Sequence, residues 1–294
     1  MHKCLSTIIL LIVGIIFVNA ENKRALLMGI SNYPTYQGAE DISWSAIHGA
    51  NDINLISNTL KKQKFLITTL LNKNATAKNI RQALSNLVKE SKAGDLIYIH
   101  FSGHGQPYED LSGDEDDGWD EAIIPYDAIK QYKGGTYQGN NHILDDELEN
   151  YIISLRKKVG KAGYVYVVLD ACHMGGASRG DEQEDEEIFI RGTNSGFSPN
   201  GKKYIPKIDK RGNLKISSAP ALSDVCIVEA CRAYQTNTEI KQGSSFYGPL
   251  TYYINQCLSN TTLNSNTNWL EKVRLLMNND RRLIKQNLVI EKSN

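Results

Sequence analysis

The chain has 294 residues, 41% of them hydrophobic and 22% charged, with 33 basic and 33 acidic side chains. This composition excludes a collagen-like chain, a coiled coil and wholesale disorder, and the balanced charge gives no pull toward nucleic acid or an anionic membrane. A chain of this length buries a core without needing disulfides or metals.

Residues 1–20 read as a signal peptide. Lys3 supplies positive charge, Ile8 to Val18 is apolar apart from Gly14, and Val18-Asn19-Ala20 resembles a cleavage site. The run is short of the ~20 apolar residues a membrane span needs. The expectation is an exported protein, periplasmic or secreted, with no stable membrane span after cleavage and a single domain over 21–294.

Ala25 to Ile30 then reads as a buried strand, and Asp52 to Leu60 as a helix with Ile53, Leu55, Ile56 and Leu60 at helical spacing. Phe65 to Leu71 is strand-like. Thr76 to Lys92 repeats Ile80, Leu84, Leu87 and Val88 on one helical face, with Gly94 as the stop. Asp95 to Phe101 is a second buried strand, and a helix capped by Asp145 runs through Val159. Tyr164 to Leu169 is a third buried strand, followed by a strand at Val225 to Val228. Helices are expected at Pro249 to Leu258 and Trp269 to Met277. Strands that are apolar along their whole length and alternate with helices imply an α/β fold, a mainly parallel sheet covered on both faces. In such sheets ligands bind at the carboxyl ends of the strands.

Two long polar segments, 107–141 and 174–220, interrupt this alternation; loops of that length are usually functional or disordered. Of the cysteines beyond the leader, Cys226 and Cys231 lie five residues apart in a strand-like run and should point to opposite faces. They are poor partners for each other, and any pairing among Cys226, Cys231 and Cys257 is left open.

The chemistry lies directly after two buried strands. Ser102-Gly103-His104-Gly105 follows the second, and Asp170-Ala171-Cys172-His173-Met174-Gly175 follows the third. A cysteine nucleophile needs a thiolate, which a nearby histidine can generate, and flanking glycines let backbone N–H groups approach a developing oxyanion. His104 and Cys172 are therefore candidate catalytic residues, the alternative being an inert core cysteine and a loop histidine.

These two motifs, in this order, resemble the caspase family and within it the metacaspase and bacterial caspase-like branch. The resemblance implies the caspase–hemoglobinase fold and a cysteine endopeptidase acting on peptides or proteins, with no cofactor required for the chemistry. It assigns the backbone N–H groups of Gly105 and Cys172 to the oxyanion hole. Met174 stands where metacaspases usually carry serine, which keeps a clostripain-like peptidase of the same clan as an alternative; a silent caspase-fold scaffold is another. His173, adjacent to Cys172, is assigned to structure. The aspartates matching Asp52 and Asp170, with the serine matching Ser102, line the S1 pocket of metacaspases, and two carboxylates there favour Lys or Arg at P1. The resemblance also implies a calcium site at Asp120, Asp145 and Asp146, against a reading of these as solvated acids and a helix cap; a fourth ligand is expected shortly after Cys172, with no clear match there and Asp181 only a candidate. Finally, 192–220 occupies the place of the caspase intersubunit linker. It is rich in Gly, Asn, Ser and Lys, so it is expected to bury little and to be self-cleaved at Lys202, Lys203, Lys210 or Arg211.

Overall fold

The computed structural model describes residues 22–172, 188–207, 216, 218–283 and 286–293. The expected signal peptide, His173, Met174, Asp181, Lys210 and Arg211 lie outside them. Among the described residues the strands are β1 (Lys23–Gly29), β2 (Leu66–Leu71), β3 (Leu96–Ser102), β4 (Gly105–Glu109), β5 (Trp119–Ile123), β6 (Ile143–Leu144), β7 (Tyr164–Asp170), β8 (Asp224–Glu229), β9 (Ile240–Gln242), β10 (Ser245–Tyr247) and β11 (Val289–Lys292). The α-helices are α1 (Gly49–Lys62), α2 (Ala77–Glu90), α3 (Asp145–Val159), α4 (Pro249–Leu258) and α5 (Trp269–Asn279).

Six strands form the central sheet in the order β11-β8-β7-β3-β1-β2. All neighbours pair in parallel except β11, which runs antiparallel to β8. Alternate residues of each strand feed opposite cores. Leu27, Tyr98, Tyr166 and Val228 pack with α1, α4 and α5, whereas Met28, Ile97, Ile99, Val165 and Val167 pack with α2 and α3. Each fully buried Leu or Ile contributes ~2 kcal/mol. Helices thus cover both faces, as the apolar strands required.

The helix ends differ in detail from expectation. Thr76 caps α2 by accepting the Asn79 N–H at 3.3 Å, but Asp145 is the first residue of α3 rather than its cap. Its carboxylate therefore acts on the helix dipole. α1 begins at Gly49, three residues earlier than its apolar periodicity suggests. A side chain there would strike the Ser102 carbonyl and come within 2.7 Å of the Ile30 carbonyl. Glycine lets α1 pack against the ends of β1 and β3, which brings Asp52 to Ser102.

The segment 107–141 is partly regular: it holds part of β4 and all of β5, which with β6 form a small antiparallel sheet. Gln106, Pro107 and Glu109 in β4 and Asp120 and Glu121 in β5 gave no apolar periodicity to read. The expectation that 192–220 buries little fails for its first part. Phe197 and Tyr204 are buried, and Phe197 bonds along β4, its N–H to the Pro107 carbonyl at 2.8 Å and its carbonyl from the Glu109 N–H at 2.9 Å. An aromatic residue at the right spacing outweighs a polar average.

Candidate active site

Chain order reverses across the sheet between β1 and β3, and the carboxyl ends of the strands around that point carry Ser102 and Asp170 in register. The loops that follow carry His104 and Cys172.

His104 is buried and fixed on several sides. Its N–H donates to the Tyr33 hydroxyl at 3.1 Å, which itself donates to the Ile124 carbonyl. Its ring stacks on Trp44, centroids 4.8 Å apart and 29° between planes. Nε2 lies 2.9 Å from the Ser45 carbonyl. An Nε2–H donated there leaves Nδ1 with a free lone pair, and Nδ1 is buried with no hydrogen-bond partner among the described residues. Burial pushes the imidazole down to about 3, the Ser45 carbonyl opposing and the Lys130 and Arg191 charges adding. His104 is therefore a neutral ring presenting an acceptor.

Cys172 is buried. Its thiol donates to the Gln235 carbonyl at 2.6 Å. Its N–H donates to the Arg191 carbonyl at 2.9 Å, and the Gly105 N–H donates to that same oxygen at 3.2 Å. The two N–H groups expected to hold an oxyanion thus converge on one carbonyl.

Beside them Asp52, Ser102 and Asp170 come together, all buried. Asp170 accepts from the Thr251 N–H at 2.8 Å, the Thr251 hydroxyl at 2.7 Å and the Asn237 side-chain amide at 2.8 Å. Asp52 accepts from the Ser102 hydroxyl at 2.6 Å and the Gly248 N–H at 3.0 Å. A side chain at Gly248 would collide with the Asp170 carboxylate, so glycine is required behind the pocket. The pocket holds the guanidinium of Arg191. Its Nη1 lies 2.7 Å from Asp52, 2.6 Å from the Ser102 hydroxyl and 3.5 Å from Asp170, while Nε and Nη2 donate to Glu239 at 3.0 and 2.8 Å. Burial works against the Arg191 charge, but Asp52, Glu239 and Asp170 outweigh it and leave the guanidinium above its ordinary value. Burial pushes Asp52 up to about 7, against the pull of Arg191 and with a push from Asp170.

Glu239, Ser45, Gln235 and Arg191 were not legible in the sequence. Each sits in an irregular stretch, and none carries a local motif. Among the described residues Cys172, Cys226, Cys231 and Cys257 are buried, and no disulfide joins them.

The expected metal ligands Asp120, Asp145 and Asp146 do not form a group whose oxygens all lie within 4.8 Å of one another. Among the described residues, the carboxylates that converge are Asp110, Asp114 and Asp120, whose oxygens lie within 4.8 Å of one another. Asp145 and Asp146, at the start of α3, act on Asp120 through their charge. Burial first, then Asp145, Asp110 and Asp146, push Asp120 up to about 7.

A family profile described as Caspase domain matches residues 22–293. The chain belongs to the caspase domain family. It is 35% identical to Metacaspase-7 of Arabidopsis thaliana over 52% of this chain and 35% of that protein. It is 26% identical to Metacaspase-1 of Debaryomyces hansenii over 90% of this chain and 62% of that protein. The matched stretch is therefore only part of these relatives' own length. Among solved structures, protein GSU0716 from Geobacter sulfurreducens superposes with a TM-score of 0.61 at 19% identity, covering 92% of this chain and 93% of that one. This likeness shows the fold. The central, mostly parallel sheet with helices on both faces is the caspase-like fold that the paired motifs implied.

Proposed function

We propose that this caspase-domain protein is a cysteine endopeptidase that cuts after arginine and, less readily, lysine. The observation that carries the reading is the buried pocket of Asp52, Asp170 and Glu239 closed around a guanidinium, beside two N–H groups sharing one carbonyl oxygen. Cys172 is the nucleophile and His104 its base. The Nδ1 lone pair of His104 takes the thiol proton as sulfur attacks the scissile carbonyl. The Gly105 and Cys172 N–H groups hold the oxyanion. His104 then gives its proton to the leaving amine and activates the water that releases the acyl group. The Ser45 carbonyl keeps the ring in the required tautomer.

Turnover of short fluorogenic peptides differing only at P1 tests this. Arginine is expected best, then lysine, with aspartate inert, and Cys172→Ala and His104→Ala should abolish hydrolysis. Preference for aspartate, or turnover retained in both variants, overturns the reading.

Export through residues 1–20 belongs to the same proposal and is checked by the amino-terminal sequence of protein recovered outside the cytoplasm, expected to begin at Glu21. So does calcium. Hard cations take several carboxylate oxygens, and the convergence of Asp110, Asp114 and Asp120 supports a site there, with Asp145 and Asp146 adding field. A bound ion would relieve the crowding of these acids. Millimolar calcium should raise the melting temperature, and Asp114→Asn should remove the rise; melting unchanged by calcium or chelator counts against the site.

A further inference from the structure

We infer that Arg191 is the P1 residue of this chain's own processing site. On this inference the bond between Arg191 and Gly192 is the one Cys172 cuts, and residues 189–191 block the cleft until it is cut. The inference rests on the peptidase reading above.

A guanidinium among three carboxylates could be a purely structural ion pair. The backbone argues otherwise, because residues 189–191 lie as an extended peptide substrate would. The Arg191 N–H donates to the Asn237 carbonyl at 3.0 Å, and the Phe189 carbonyl accepts from the Glu239 N–H at 2.9 Å. Between them Ile190 bridges Thr238 in antiparallel register. This is strand addition, in which main-chain bonds hold a peptide and pockets read its side chains. Phe189 has such a seat, edge-on to His48 at 4.5 Å and against Phe246 at 4.8 Å. Most tellingly, the Arg191 carbonyl, and not merely its side chain, takes the N–H groups of Gly105 and Cys172. A structural arginine has no need to put its own carbonyl there.

The chemistry balances within the chain plus one water. The Cys172 thiol turns from the Gln235 carbonyl and gives its proton to His104 Nδ1, and sulfur bonds to the Arg191 carbonyl carbon. The bond from that carbon to the Gly192 nitrogen breaks, and the nitrogen leaves with the proton from His104. Water then hydrolyses the thioester, leaving a carboxylate at Arg191 and an amine at Gly192. The two pieces remain together, because β8, after the cut, is bonded to β7, before it, and β11 is bonded in turn to β8. Downstream, Phe197 is held on β4. Upstream, residues 189–191 are no longer continuous with that anchor and can leave the cleft.

This site differs from Lys202, Lys203, Lys210 and Arg211. Intact mass and amino-terminal sequencing of wild-type protein and the Cys172→Ala, Arg191→Gln and Arg191→Lys variants test it. Wild type should give two fragments, the second beginning Gly192-Thr193-Asn194, and Cys172→Ala a single chain. Arg191→Gln should lose this cut, and Arg191→Lys, which keeps a charge in the pocket if the neutral variant folds poorly, should retain it at a reduced rate. In a time course with a fluorogenic Phe-Ile-Arg peptide, hydrolysis should rise in proportion to the cut fraction. Cutting only at the other basic residues, or undiminished cutting in Arg191→Gln, overturns the assignment. An intact wild type that hydrolyses the peptide fully also overturns it while leaving the peptidase reading standing. An intact wild type inert to every peptide overturns both. A rate independent of the cut fraction refutes the blocking role.

Discussion

Two acidic regions of this protein resolve the same electrostatic problem in opposite ways. In the pocket at the ends of β3 and β7, Asp52, Asp170 and Glu239 are met by oriented donors: hydroxyls of Ser102 and Thr251, N–H groups of His48, Gly248 and Thr251, and the Arg191 guanidinium. Around β5, β8 and α3, Glu121, Asp145 and Glu229 instead line one cavity and act on one another. Burial, then Glu291 and Asp145, push Glu229 up to about 8. Burial and the neighbouring Asp146 charge push Asp145 up to about 6, and one of its oxygens has no partner among the described residues. Carboxylates built to receive a cation are surrounded by donors. Carboxylates that share the second cavity are pushed up further by one another's charge, whereas Asp52, pushed up by burial, is pulled back by Arg191 and the Ser102 hydroxyl. Counting acids along the chain does not separate the two cases, because the difference lies in what faces each oxygen.

Neutralising the two regions should sharpen that comparison, and the largest effect is expected in the pocket. Asp52→Asn or Asp170→Asn should lower kcat/KM on arginine peptides by about 10²-fold, the loss expected when a buried charge partner is removed. Glu229→Gln should leave kcat/KM within about twofold. Equal losses from both changes would erase the distinction.

A smaller effect concerns Glu239, which takes Nε and Nη2 of the bound guanidinium, atoms lysine does not possess. Glu239→Gln should narrow the preference for arginine over lysine by roughly tenfold, a difference of ~1.4 kcal/mol. An unchanged ratio would assign the discrimination to Asp52 and Asp170 alone.

The smallest effect is on stability. Glu229 is raised in the folded protein, so between about 4.5 and about 8 the fold holds a proton that the unfolded chain releases. Its contribution is present at low pH and is lost as pH rises through that window. Glu229→Gln should therefore unfold like wild type at pH 4 and be more stable than wild type at pH 8. Denaturant melts at the two pH values check this, and a variant destabilised at pH 8 would show that the carboxylate is held ionised.

The sequence by itself determined the sheet and the place of the chemistry. Apolar runs such as Leu96 to Phe101 and Tyr164 to Val168 can be buried on both faces only in a parallel, helix-covered sheet. Parallel strands end at one edge, so motifs written directly after them must meet there, as Gly105 and Cys172 do. Asp52, Ser102 and Asp170 were legible as a pocket through the family resemblance, and their places near the end of a strand or in the helix after it explain why they meet. Strands β4, β5 and β11 were not, being short and either polar or without period. What tertiary structure decided was everything contributed by irregular segments. The Ser45 carbonyl that orients His104, the Gln235 carbonyl that holds the thiol, the third acid Glu239 and the arginine that fills the pocket all come from such segments. A backbone carbonyl has no residue signature, and a lone Glu or Arg in a loop is indistinguishable from a solvated one. Only the folded chain shows which of them is enclosed, and by what.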